Sequence, residues 1–212
     1  MATKLLFVRH GQSEANTKSY FAGHLDAPLT ETGRMQAKLM AEYVKTYPVS
    51  AIYASDLSRA FDTAAPIASF FDLPVFPDTR IREIHAGDWQ GKTFDYLTKD
   101  ADYNIWLTGS PSVFPSGGES IPDLFARADA FLTEILHKHP DKTVAVVTHA
   151  TPIRVLKAKW LGIPLSEIVK VSSPPNASVT LVSCNADGTG EIRMEGENRF
   201  LGDLANAKTT KM

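Results

Sequence analysis

The 212-residue chain contains a single cysteine, Cys184. One thiol permits no intrachain disulfide and excludes a cysteine-rich zinc site. Long hydrophobic runs are missing too. The apolar stretch nearest the N-terminus, Leu5 to Val8, is too short for the hydrophobic region of a signal peptide or for a membrane span, and no later segment is long enough. There is no excess of one charge: 22 lysines and arginines stand against 24 aspartates and glutamates, a formal net charge of −2. Without a general basic field the chain has no means of holding nucleic acid or an anionic membrane, so any affinity for an anion must be built locally. Neither an internal repeat nor a low-complexity segment occurs. These absences leave a cytoplasmic enzyme or binding protein as the expectation.

What is present is ordinary globular material, 43% hydrophobic and 22% charged. The length suits one domain over residues 1–212, with an elaboration. Lys4 to Val8 predicts a strand buried on both faces, since its apolar run is continuous and stops at a glycine. A polar loop is expected from Gln12 to Leu29. Thr30 caps a helix in which Met35, Leu39, Met40, Tyr43 and Val44 fall at helical spacing, and Pro48 ends it. A second strand, "SAIYAS", leads into a helix expected to open at Ser55 or Asp56 and to kink or break at Pro66. A short strand follows at Val75, with an extended piece from Arg80 to Ile84. Residues 85–120, rich in glycine, proline and aromatics, predict a cap-like elaboration of short helices and loops. An amphipathic helix from Ser120, the buried strand "VAVVT" and a further helix come next. An antiparallel hairpin then closes on an Asp-Gly turn, and a frayed tail is expected over 202–212. Strands alternating with helices predict a three-layer α/β/α sandwich with a mostly parallel central sheet, whose ligands bind beyond the carboxyl ends of the strands.

Three of those strand ends carry related chemistry. The first finishes at Arg9-His10-Gly11, the second at Ser55 with Arg59 one turn further on, and "VAVVT" finishes at His149. If the three strands are neighbours, two arginines and two histidines converge on one rim. Arginine stays charged and its planar fork suits phosphate oxygens. Helix-opening N–H groups near Ser55 and Ala150 would add to an anion site. Taken singly, an arginine at a strand end is a salt-bridge former and a lone histidine a satisfied polar group; the constellation is what points to chemistry.

The ordered blocks "LLFVRHGQSEAN", "DAPLTETG", "YASDLSRAFDTA", "REIHAGDWQGKTF", "GGES" and "VAVVTHATPIR" resemble those of the histidine phosphatase superfamily, the phosphoglycerate-mutase-like fold, from Lys4 to about Arg154. Within it they are most similar to the phosphatase branch that includes broad-specificity and alpha-ribazole phosphatases. The resemblance implies that His10 is a nucleophile that becomes a phosphohistidine, that Arg9, Arg59 and His149 clamp the phosphate, and that Glu83 is the general acid. Phosphate or substrate contacts are implied for Arg9, His10, Asn16, Gly23, Arg59, Glu83, His149 and Ala150. Neither a cofactor nor a metal is implied, and the expected partner is a small phosphorylated metabolite, with a homodimer possible.

The chemistry is coherent with those residue types. A neutral imidazole meets no repulsion from a phosphate dianion, provided its other nitrogen keeps a proton and finds an acceptor. Gly11 could bend the chain to supply one and let the phosphate come close. Two arginines and a protonated His149 would balance the phosphoryl charge. Glu83 must hold a proton for the leaving group and then take one from water; the competing reading is a salt bridge with Arg80 or Arg82. Asn16 is open between a phosphate donor and a loop cap. Asp88 reads as a turn residue, His24 and His85 lie near the expected mouth, and Gly117-Gly118-Glu119 suggest a loop over the substrate. His137 and His139 complement the end of a helix.

A mutase needs extra cations to hold a second anionic group, yet Gln90 to Ser116 offers only Lys92 and Lys99 among several aromatics. A phosphatase is therefore expected, with a phosphoglycerate-mutase-type transferase or a non-catalytic phospho-ligand binder as alternatives. Ala15, Ala22 and Ala150 depart from the family's usual tryptophan, polar residue and glycine, which leaves the substrate open.

Overall fold

A computed structural model describes residues 2–110 and 113–206. Its strands are β1 (Thr3–Arg9), β2 (Val49–Ala54), β3 (Val75–Pro77), β4 (Thr143–Thr148), β5 (Val179–Cys184) and β6 (Gly190–Glu197). They form one sheet in the order β3-β2-β4-β1-β5-β6. The first four are mutually parallel, and β5 and β6 are antiparallel additions on the far side of β1. The helices are α1 (Glu14–Lys18), α2 (Glu31–Val44), α3 (Ser58–Phe71), α4 (Phe94–Leu97), α5 (Ala101–Leu107), α6 (Ile121–Lys138) and α7 (Ala150–Leu161).

The continuous apolar run of β1 has two faces to satisfy. Leu6 and Val8 pack with Met40, Val44, Ala64 and Ile67 of α2 and α3, while Leu5 and Phe7 pack with Leu124, Phe131, Leu132 and Leu156 of α6 and α7. Helices on both faces of a mostly parallel sheet give the three-layer α/β sandwich expected. Short helices α4 and α5 and a 3-10 turn at Gly87–Trp89 occupy the elaboration. No helix among the described residues is long and apolar enough to cross a membrane.

Several local expectations are corrected. The Gln12–Leu29 loop contains α1, one and a half turns closed by Asn16 Oδ1 accepting the Ser13 N–H at 2.9 Å. Helix α3 opens at Ser58, after Leu57, rather than at Ser55 or Asp56. Ser55 is still in the ladder, its N–H donating to Val147 at 2.9 Å, and the Ser58 N–H is capped by Asp26 at 2.9 Å, from a loop far away in sequence. Pro66 neither breaks nor ends α3. It lies half-exposed, where water can take over the carbonyl that its missing N–H leaves free. Residues 79–81 form a 3-10 turn in place of extended chain. Of the tail segment 202–212, residues to Asn206 belong to a 3-10 stretch from Arg199 in which the Leu204 carbonyl accepts from Gln36 at 2.9 Å; 207–212 lie outside the described residues.

Candidate active site

Sheet register brings the strand ends together. Arg9 of β1 pairs with Thr148 of β4, and Ala54 of β2 pairs with Val147. The residues just beyond, His10, His149 and Ser55, therefore share one rim. The His10 and His149 rings lie 5.0 Å apart, edge to face. A cleft of about 430 Å³ opens there, lined by Arg9, His10, Asn16, Gly23, Arg59 and Glu83 together with Ser13, Ala15, Tyr20, Phe21, Ala22 and Phe94. Of the eight phosphate- or substrate-binding residues expected, six line this cleft. His149 is fully buried and lines neither this cleft nor a second cavity of about 780 Å³, which Ala150 lines with Thr151 and Arg154.

His10 is buried, and its Nδ1 lies 2.7 Å from the Gly11 carbonyl oxygen. That acceptor keeps the proton on Nδ1 and leaves Nε2 with its lone pair. Burial, then Arg59 and Arg9, holds the imidazole well below its usual 6.5, so it is neutral at physiological pH. The expected acceptor for His10 is thus present, but the need for glycine has a different cause. Gly11 has no positive φ; a Cβ there would stand 2.7 Å from the Gly33 carbonyl oxygen of α2.

The two arginines are held by backbone. Arg59 donates from NH1 to Leu25 at 3.0 Å and from NH2 to Gly23 at 2.8 Å, and Arg9 donates from NH1 to Pro174 at 2.7 Å. Among the described residues, no carboxylate is hydrogen-bonded to either fork. Burial lowers the Arg9 guanidinium to about 10, opposed by Glu83, and it stays charged. Its Nε is buried without a partner. Gly23 takes φ = +53°, and a Cβ there would meet Gln90 Oε1 at 2.5 Å.

Burial first, then Arg59, His10 and Arg9, holds the His149 imidazole well below 6.5. Its Nε2 lies 2.8 Å from Ser55 Oγ, and Nδ1 is buried without a partner. Ser55 Oγ accepts the Leu57 N–H at 3.4 Å, so the hydroxyl proton is available to His149 Nε2 and the ring proton can sit on Nδ1. Ser55 therefore contributes through its side chain; its N–H does not face the anion site.

Glu83 is not the salt-bridge partner of its neighbours. Arg80 pairs with Asp78 and Glu134, and Arg82 with Asp56. The Glu83 carboxylate instead accepts N–H groups from Ile84 at 2.8 Å and Thr151 at 3.3 Å, the latter from the first turn of α7. Its carbonyl accepts from His24 Nε2 and Arg127 NH2, each at 2.8 Å. Arg127 is paired with Glu119, whose other contact is the His85 N–H. Glu119 thus braces Glu83 through Arg127, and none of Gly117–Glu119 lines the cleft. Asn16 serves as a loop cap and lines the cleft at once.

Sequence reasoning missed Arg127, Ser55 Oγ, Thr151 N–H and Asn176, whose amide reaches His10, Gly11 and Asn16. The only sequence cue for Asn176 was its place in the polar run before β5. Among the described residues, no three His, Cys, Asp or Glu side chains form a group that could hold a metal ion.

The profile of the histidine phosphatase superfamily (branch 1) matches residues 5–195, so the chain belongs to that superfamily. Phosphoserine phosphatase 1 of Hydrogenobacter thermophilus is 36% identical over 166 residues, 77% of this chain and 79% of that protein. Glucosyl-3-phosphoglycerate phosphatase of Mycobacterium tuberculosis is 36% identical over 191 residues, 86% of each chain. The solved structure of Bacillus stearothermophilus YhfR superposes with a TM-score of 0.88 at 31% identity, covering 94% of this chain and all of that one. The protein is a phosphatase of this superfamily, a phosphoric monoester hydrolase acting on small phosphorylated substrates.

Proposed function

We propose that the enzyme hydrolyses small phosphomonoesters without a metal ion, through a phosphohistidine on His10. The observation that carries this reading is the neutral His10 ring, its Nδ1 tied to the Gly11 carbonyl at 2.7 Å and its other nitrogen left for attack, in a cleft with Arg9, Arg59 and Glu83. In the first step the Nε2 lone pair forms a bond to phosphorus. The ester P–O bond breaks, and the leaving oxygen takes a proton from the Glu83 carboxyl group. In the second, Glu83 as carboxylate removes a proton from water, whose oxygen displaces His10 and releases inorganic phosphate. Arg9, Arg59 and the orphan His149 Nδ1 answer the charge on the phosphoryl oxygens. A bound dianion supplies the opposite charge that favours protonation of His149.

The aromatic side of the cleft selects the leaving group. Tyr20, Phe21, Ala22 and Phe94 line the cleft, and Phe21 packs against Phe94, Trp89 and Trp106. Lys92, one of the two lysines of the elaboration, lies over the Tyr96 ring. Such a rim favours an uncharged or aromatic alcohol over one bearing a carboxylate. The relatives' names point the other way, towards phosphoserine and glucosyl-3-phosphoglycerate.

The test is rapid-quench turnover of p-nitrophenyl phosphate with a chelator present, followed by a metabolite panel. Activity is expected to persist in chelator, to leave a base-stable, acid-labile phosphoenzyme, and to fall by roughly 10³-fold or more in His10→Ala. Aryl and sugar monoesters are expected to exceed phosphoserine in kcat/KM by about tenfold, the scale of one uncompensated charge. Loss of activity in chelator, or a phosphoenzyme that survives His10→Ala, would overturn the mechanism. A preference for phosphoserine would overturn the leaving-group assignment alone.

A further inference from the structure

Asn176 precedes β5 and is almost fully enclosed, 3% exposed. Its Nδ2 lies 3.2 Å from the His10 carbonyl, 3.3 Å from the Gly11 carbonyl and 3.1 Å from Asn16 Oδ1. The Gly11 oxygen is the one that also receives His10 Nδ1. Asn16 Oδ1 is further engaged by the Ser13 N–H at 2.9 Å and hydroxyl at 3.0 Å. One buried amide therefore touches both the carbonyl that orients His10 and the side chain that lines the cleft beside it.

We propose that Asn176 is a positioning residue for phosphoryl transfer, setting the angle of the His10 ring through the Gly11 carbonyl and the facing of the Asn16 amide through its oxygen. This rests on His10 being the nucleophile. A carbonyl held by Nδ1–H alone can swing with its peptide plane, and the ring swings with it. Held also by Asn176, it has a second fixed donor, and Nε2 keeps its line of attack. A primary amide suits the position, because its two hydrogens meet three acceptor oxygens and carry no charge. An aspartate of the same shape would set a carboxylate against those oxygens. An alanine would leave them short of donors.

Asn16 is oriented by the same contact. With Oδ1 gathered by Ser13 and Asn176, its planar amide has one facing, and Nδ2 lies on the opposite prong. His10 and Asn16 should therefore lose alignment together when Asn176 is changed. An angular error at an attacking atom acts on the chemical step far more than on binding.

The experiment is rapid-quench measurement of enzyme phosphorylation by p-nitrophenyl phosphate in wild type, His10→Ala, Asn176→Ala, Asn176→Asp, Asn16→Ala and the Asn16→Ala/Asn176→Ala double variant, each first checked for folding by urea midpoint. Asn176→Ala is expected to phosphorylate roughly 10- to 100-fold more slowly while KM changes by less than about threefold. Asn176→Asp is expected to be slower still at about pH 8. It should recover several-fold towards about pH 6, where the enclosed carboxyl group takes up a proton and can donate again, a trend wild type does not share. The loss from Asn176→Ala should be smaller in the Asn16→Ala background than in wild type. Should Asn176→Ala fail to fold, the acid recovery of Asn176→Asp decides. Wild-type phosphorylation rates in folded variants, or additive losses with no acid recovery, would overturn the proposal while leaving His10 as nucleophile. A wild-type phosphoenzyme that is absent, or present in His10→Ala, would overturn both.

Discussion

At the scale of single residues, His10 and Glu83 are each held at side chain and carbonyl. The His10 ring places Nδ1 2.7 Å from its neighbour's carbonyl, its own carbonyl accepts from the Ala177 N–H at 3.0 Å and from Asn176 at 3.2 Å, and two arginines discourage protonation of the ring. Its depressed titration places the acid limb of kcat/KM below pH 6.5, because the reactive neutral form persists until the pH falls through the lowered value. Arg59→Ala removes the larger of the two arginine contributions, so its acid limb should move up towards ordinary histidine, readable in a pH–rate profile. The same change strips donors from the Gly23 and Leu25 carbonyls and should cost about 1–3 kcal/mol by urea unfolding. Glu83 is braced on both its carboxylate and its carbonyl. Glu83→Gln keeps the shape and removes the proton, and kcat for an alkyl ester should fall roughly 10²- to 10⁴-fold. For p-nitrophenyl phosphate, whose leaving group needs no proton, the first step should suffer less. The clustering of Arg9, His10, Arg59 and His149 was legible in the sequence as residue types at strand ends, whereas Glu83 came forward only through the family resemblance. The depressed titration of His149 was not legible, because it depends on how much water and how many cations surround the ring.

Between elements, the Gly11–Gln12 stretch after β1 comes very close to α2. A Cβ on Gly11 would meet the Gly33 carbonyl at 2.7 Å, and one on Gly33 would meet the Gln12 carbonyl at 2.0 Å. Thr30, the cap of α2, also donates its N–H to Gln12 at 3.0 Å. Helix and loop are thus docked backbone to backbone, and the His10 loop inherits the rigidity of α2. Gly33→Ala forces the two apart; a loss of about 1–3 kcal/mol in stability is expected, with a fall in kcat, measured by urea unfolding and steady-state kinetics. A wild-type kcat in that variant would show that the loop does not depend on the helix for its geometry. The Thr30 cap was readable because its acceptor is local, three residues before the Gly33 N–H it receives. The start of α3 was not, because its cap, Asp26, arrives from another segment.

Across the whole molecule, the buried cations and neutral histidines link stability to pH and to anions. His10 and His149 titrate lower in the folded chain than the usual 6.5, so below that value the unfolded chain binds protons the folded chain refuses. Stability should therefore be highest above about pH 6.5 and fall as the pH drops beneath it, followed as urea midpoints across pH. An anion in the cleft opposes the same electrostatic cost. Inorganic phosphate at a hundredfold over its Kd is expected to stabilise by about 2.7 kcal/mol, seen as a rise in Tm, and Arg9→Ala should abolish most of it. An unchanged Tm would mean that the anion does not bind between the arginines.

The sequence alone determined the layers of the sandwich and the chemistry at its rim, since hydrophobic period and residue type act locally and survive without coordinates. What only the tertiary structure decided was which groups meet there. Parallel pairing of β1 with β4 and of β4 with β2 sets Arg9, His10 and His149 side by side. Chain segments far apart in sequence bring Arg127 to Glu83 and Asn176 to His10. Those contacts span dozens of residues, and no periodicity or short motif encodes a hydrogen bond made across that distance.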